Sequence, residues 1–208
     1  MASLDPVKQS RAGWRRVLAS LNGDGRYGIA LACTCALLLL PVLTGDAGRE
    51  ALRYDRLGLA HGELWRLLSA HLVHLNFRHA CVNVLGLALL WALFARDYTP
   101  RQWLLITCAA IAAIDAGLWL WDSTLPWYVG SSGVLHGYLA AGTLAHLRRR
   151  EPDGWILAAV LAGKLGYEHA VGPLPFSGSA NVVVDAHLFG VLGGGVAALG
   201  VGRARLPL

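Results

Sequence analysis

The chain has 208 residues, 55% of them hydrophobic and 15% charged, and its mean hydropathy is +0.48. That balance excludes an ordinary soluble domain. The net charge of +5 does not point to nucleic acid, which needs a basic face on a soluble module. Here the arginines stand at the ends of apolar runs, as membrane orientation requires. Cys33, Cys35, Cys81 and Cys108 lie inside apolar segments without disulfide or zinc spacing, and they read as small buried hydrophobes.

In chain order, residues 1–27 are polar and basic and form the expected cytoplasmic N-terminal segment. Residues 29–43 are the first apolar run. Its leader is long and no Ala-x-Ala site follows, so it reads as a membrane helix rather than a signal peptide. Residues 44–71 alternate Arg49, Glu50, Arg53, Asp55, Arg56, Glu63 and Arg66 with Leu, Tyr and Trp65, the pattern of an interfacial segment whose arginines reach headgroups. Further spans are expected over about 79–94, 103–121, 132–147, 155–169 and 182–201. The fold class is thus all-α: a polytopic bundle of six transmembrane helices within residues 28–202, with a cytoplasmic tail at 203–208 and no internal repeat.

Orientation follows from the arginines. The N-terminus, the turn with Arg96 and Arg101, the Arg148–Arg150 cluster and the tail share one side, which is cytoplasmic. The loops 122–130 and 171–181 carry no Lys or Arg, whereas residues 44–78 are an exception, with five arginines on the outer side.

Residues 130–137, Gly-Ser-Ser-Gly-Val-Leu-His-Gly, open the fourth span. From Ser132 to Leu147 is about 22 Å at 1.5 Å per residue, against a hydrocarbon core of about 30 Å, which sets Ser132 below the outer surface. His187 starts a span of nearly the same length and so lies at a matching depth. Gly133, Gly137 and Ala141 form one small-residue stripe, and Ala186, Gly190, Gly194 and Ala198 another. Packing such stripes lets two backbones approach closely in lipid, which would bring the Ser132 hydroxyl to the His187 imidazole. A base there can take the serine proton for attack on a carbonyl. His79 and Asn83, four apart on one helix face, and the Ser132 amide at a helix start are candidate donors to the oxyanion.

These residues resemble a family. Gly130-x-Ser132-Gly133, the His74…His79…Asn83 spacing, Trp65-Arg66 upstream, and His187 followed by Gly190 and Gly194 look like the rhomboid intramembrane serine proteases, over about residues 44–200. The form Gly-Ser-Ser-Gly-Val-Leu-His-Gly is similar to the rhombosortase branch. The resemblance implies Ser132 as nucleophile and His187 as base of a Ser–His dyad, with His79, Asn83 and the Ser132 amide at the oxyanion. Gly130, Gly133, His136, His74, Gly190, Trp65 and Arg66 are supporting residues. It implies no cofactor, an acyl-enzyme intermediate, and membrane-anchored substrates carrying C-terminal Gly-Gly tails at the outer face of the bacterial inner membrane. Many rhomboids have tyrosine where this chain has His136.

Other readings stay open. Gly-Ser-Ser-Gly could be a plain loop-to-helix junction with Ser131 or Ser132 as N-cap. His71, His74 and His79 lack a metal-binding pattern, and His74 is expected to brace the outer loop. Asp185, two residues from His187, faces another side of the helix and is assigned to a cap or an outer-loop contact. Asp115 and Lys164 could pair with each other, or Lys164 with Glu168. A Ser–Lys dyad using Lys164 is the rival to His187. Residues 171–181 read as a mobile lid or a plain connector. A general rhomboid protease, a non-catalytic client-binding relative and a small transporter are the alternative functions.

Overall fold

The computed structural model describes residue 14 and residues 16–173 and 183–201. Helix α1, Gly25–Leu39, passes through a tighter turn, Leu40–Thr44, into α2, Gly45–Leu52. Strand β1, Tyr54–Asp55, and two short helices, α3 at Arg56–Ala60 and α4 at Arg66–Ser69, complete the outer segment. Five elements follow: helix α5, Phe77–Phe94; helix α6, Pro100–Leu120; strand β2, Trp127–Tyr128; helix α7, Ser132–Arg149; and helix α8, Pro152–Ala170. The last of the described helices, α9, is Val184–Gly200.

The boundaries have local causes. Asn76 caps α5 by accepting from the His79 N–H at 2.9 Å. Thr99 and Gln102 form a reciprocal capping box at the start of α6, with Pro100 in its first turn. Arg150 closes α7 in the left-handed conformation, φ 60°, and Pro152 then opens α8, where its missing N–H costs nothing.

Among the described residues, three helical stretches are long and apolar enough to cross a membrane: Gly25–Leu52, Phe77–Phe94 and Pro100–Leu120. α9 is apolar but has 17 residues, and α7 and α8 carry the polar groups of the candidate site.

The centre of the bundle is α9 packed between α7 and α6, and the small-residue stripes explain why. A side chain added at Gly133 would meet the Ala186 carbonyl oxygen at 2.7 Å, and one at Gly137 would meet that of Gly190 at 2.8 Å. One added at Gly190 or Gly194 would strike the backbone of Gly133 or Gly137. The two helices touch backbone to backbone.

The outer segment departs from expectation in two ways. It contains a two-rung antiparallel ladder, Tyr54 with Tyr128 and Asp55 with Trp127, that joins it to the loop before α7. Its arginines also turn inward instead of reaching headgroups. Arg56 donates to the carbonyls of Leu118, Trp119 and Asp122 at the end of α6, and Arg49 donates to that of Leu75. Arg66 donates to those of Glu50 and Arg53 and pairs with Glu63. Helix ends leave carbonyls without partners, and a guanidinium fork satisfies several at once. Beneath this segment Tyr54, Leu59, Ala70, Ile114, Leu118, Tyr128, Val134 and Ala186 form a buried cluster.

The cysteines are also corrected. Cys33 and Cys108 are exposed on the bundle surface, and Cys35 and Cys81 are half-buried. In a membrane bundle the outward face is apolar too, so an apolar run does not say which way its residues point.

Candidate active site

Ser132 is the first residue of α7 and His187 lies in the first turn of α9. The close approach of these two backbones brings His187 Nε2 to 3.0 Å from Ser132 Oγ. His187 is buried, and its ring lies parallel to that of His136, with centroids 4.0 Å apart and planes 17° apart. His136 Nδ1 in turn lies 2.7 Å from the Ser132 carbonyl oxygen. An acceptor there requires Nδ1–H, so the carbonyl sets the tautomer and orientation of His136.

The start of α7 is held from outside. Ser131 occupies the N-cap position without capping the helix. Its hydroxyl bonds instead to His74 Nε2 at 3.2 Å, which makes His74 the brace of this loop. Gly130 N–H donates to the Ala70 carbonyl at 2.9 Å, and Tyr128 donates to the Gly130 carbonyl at 2.7 Å. Gly130 has φ 121°, and a Cβ at that position would sit 3.1 Å from His79 Cε1. Only glycine fits both the conformation and the contact.

A cavity of about 320 Å³ opens beside the serine, lined from α5 by His79 and Asn83, from α7 by Ser132 and His136, and from α9 by His187. Val82, Leu89, Leu90 and Leu135 make much of its wall apolar. The Leu75 N–H approaches His79 Nδ1 at 3.4 Å, and an accepting Nδ1 leaves the proton on Nε2. Asn83 spends one amide hydrogen on the His79 carbonyl at 2.9 Å and keeps a second. The first N–H groups of α7 have no acceptor within their own helix. Side-chain and backbone donors therefore surround the space next to Ser132 Oγ.

Residues expected to support the site divide. Gly133 and Gly190 form the helix contact and His136 the ring stack. Trp65 and Arg66 do not line the cavity: Trp65 Nε1 donates to the Ala51 carbonyl at 3.3 Å, and Arg66 binds within the outer segment. Asp185 is not a cap and lies 3.4 Å from His169 Nε2 at the end of α8. Asp115 pairs with His71 at 3.2 Å rather than with Lys164. Lys164 pairs with Glu168, one of the two partners considered for it. The expected lid at 171–181 lies outside the described residues except for 171–173.

Sequence reasoning missed one group at the site. Glu168, 2% exposed, places Oε2 at 2.9 Å from His187 Nδ1 while its other oxygen meets Lys164. Lys164 stands one turn earlier on the same helix and was a sufficient local partner, so nothing in the spacing pointed across to α9.

His136, Glu168 and His187 could present three metal-ligating atoms, as could His146, Glu151 and Asp153 near the other end of α7. In the first group the two imidazoles are stacked. Ring nitrogens bind a metal in the plane of the ring, and two nearly parallel rings with centroids 4.0 Å apart do not converge on one ion. In the second, Arg149 already pairs with Glu151.

Residues 61–204 match the family model described as Rhomboid domain. Two curated proteins of Bacillus subtilis (strain 168) are similar. The chain is 25% identical to "Putative rhomboid protease YdcA" over 155 residues, covering 74% of this chain and 76% of that one. It is 29% identical to "Rhomboid protease GluP" over 151 residues, covering 71% of this chain and 28% of that longer one.

Proposed function

Because the chain belongs to the rhomboid family of intramembrane serine proteases, we propose that Ser132 is its nucleophile and His187 its general base and acid. The observation that carries this is the 3.0 Å contact between Ser132 Oγ and His187 Nε2 in the wall of a cavity. In the first half-reaction Ser132 Oγ attacks the scissile carbonyl carbon and its proton passes to His187 Nε2. The negative charge that develops on the carbonyl oxygen is met by His79 Nε2–H, the free Asn83 amide hydrogen and the Ser132 N–H. His187 then gives its proton to the leaving nitrogen, the C–N bond breaks, and an acyl ester remains on Ser132. In the second half-reaction His187 takes a proton from water, hydroxide adds to the ester, and the serine leaves with the proton returned.

The substrates are membrane-anchored proteins cut near the outer boundary, and within that class exported proteins with C-terminal Gly-Gly tails. The support is the resemblance of residues 130–137 to the rhombosortase branch, together with chemistry. A helix must unwind before its carbonyl can be attacked, and glycine lowers that barrier. The membrane domain comprises six spans over residues 28–202, in a bacterial inner membrane, with the segments 1–27 and 203–208 cytoplasmic. The arginine distribution supports that orientation. Four of the five outer arginines that ran against it, Arg49, Arg53, Arg56 and Arg66, are engaged with protein carbonyls or ring faces, so they are not free to seek the cytoplasmic side.

The test is co-expression with a membrane protein carrying a Gly-Gly, hydrophobic and basic tail. Tail removal by the wild type, and by neither Ser132→Ala nor His187→Ala, is expected. Removal that survives Ser132→Ala would falsify the assignment of the nucleophile. Processing of other transmembrane clients but not this one would move the substrate class to a general rhomboid protease.

A further inference from the structure

We propose that Glu168 is a positioning residue for His187, so that the site works as a Ser132–His187–Glu168 chain with Lys164 holding the carboxylate from behind. The inference rests on Ser132 and His187 being the reacting pair. A structural reading of Glu168 would need only its ion pair with Lys164. Its two oxygens are instead divided: Oε1 meets Lys164, and Oε2 lies at 2.9 Å from His187 Nδ1. The acceptor at Nδ1 fixes the proton there and leaves the lone pair of Nε2 toward the serine. The stack on His136 fixes the plane of the ring, but a stacked ring still turns within its plane. The bond to Glu168 removes that freedom.

Charge gives the second role. When His187 takes the serine proton, a cation forms in a buried place, and the nearest carboxylate stabilises it. Lys164, 25% exposed, is the ion-pair partner of the nearly inaccessible Glu168. The other charged or titratable groups around His187 come from each neighbouring helix. On α8 His169 is engaged with Asp185, on α7 His136 is stacked, on α5 His79 lines the cavity, and on α6 Asp115 is bonded to His71. Among the described residues, Glu168 supplies the carboxylate bonded to this imidazole.

The experiment uses the full chain in lipid nanodiscs and a fluorophosphonate probe, which reports the reactivity of Ser132 without any substrate. Its second-order labelling rate is followed from pH 5 to 9. Glu168→Gln is expected to label about 10²–10⁴-fold more slowly, with the acid limb moved to lower pH. Glu168→Asp should be intermediate. Lys164→Met should slow labelling less than Glu168→Gln does, since the lysine acts only through the carboxylate. The double variant Lys164→Met/Glu168→Gln leaves no lysine stranded and should label as slowly as Glu168→Gln. A wild-type rate and pH profile in Glu168→Gln, or in the double variant if the single one does not fold, overturns the inference. Labelling of Ser132→Ala at the wild-type rate overturns the underlying reading instead.

Discussion

The imidazole of His136 lies face to face with that of His187, 4.0 Å away, and is pinned from behind by the carbonyl of Ser132. The residue that follows the serine by one helical turn therefore holds the plane of the ring opposite that serine. Ring pairs of this kind contribute about 0.5–1.5 kcal/mol beyond their buried area. We predict that His136→Ala lowers kcat by roughly threefold to tenfold with little change in KM, whereas His136→Tyr keeps most of the activity. Steady-state cleavage of a quenched transmembrane peptide measures both. Equal losses in the two variants would show that the stack does not matter.

Gly190 touches the carbonyl of Gly133 directly. Adding one methyl group there must push α9 from α7, and overpacking of this kind costs about 1–3 kcal/mol. Gly190→Ala should lower the thermal midpoint and also reduce fluorophosphonate labelling, because the same shift parts His187 from Ser132. Gly195, which has open space around its Cα, is the control: Gly195→Ala should leave both unchanged.

Asn83 is buried, donates one amide hydrogen to the His79 carbonyl, and faces the cavity with the rest. Loss of an oxyanion donor removes about 10²–10³ in kcat. Asn83→Ala is expected to show that loss with KM nearly unchanged, as fits a contact made only when charge develops. A change confined to KM would assign Asn83 to substrate binding instead.

His74 gives the molecule a pH dependence of its stability. Burial first, and then the neighbouring His79, hold its imidazole down from the ordinary 6.5 to about 4. The unfolded chain binds a proton as pH falls through 6.5, but the folded chain does not until about 4. This contribution is therefore complete above pH 6.5 and is lost progressively as pH falls toward 4. In thermal melts between pH 7 and 4, His74→Gln should lose less of its midpoint than the wild type, since glutamine can still bond Ser131 without titrating. Parallel curves would contradict this.

Arg66 satisfies two carbonyls and a carboxylate in the outer segment. Lysine cannot reproduce that planar fork. Arg66→Lys should expose residues 44–71 to limited proteolysis while leaving the bundle intact, with fragments mapped by mass spectrometry. An unchanged digestion pattern would show the fork to be dispensable.

The range of each interaction decides whether the sequence revealed it or hid it. Ser132 and His187 could be matched because both open helices of similar length and both adjoin stripes of small residues. Depth and closeness are each written in a single stretch of chain. The bond from Glu168 to His187 depends on how α8 is rotated against α9, which no local pattern encodes, and Lys164 offered a nearer explanation. The ladder of Tyr54 and Tyr128 is two residues long, too short for any period-two signal. The inward arginines were hidden for the same reason as Glu168: their acceptors are the ends of other helices.

That short ladder has a consequence for how the enzyme can vary. Between its last rung at Tyr128 and the serine lie Val129, Gly130 and Ser131, a tether bonded at Ala70 and at His74. Residues can be added to the loop before Trp127 without displacing α7, because the rung absorbs the slack. One residue added after Tyr128 would turn α7 by about 100° on its axis and carry the hydroxyl away from the cavity. Insertions into this connection are thus expected to be tolerated on only one side of a single pair of tyrosines.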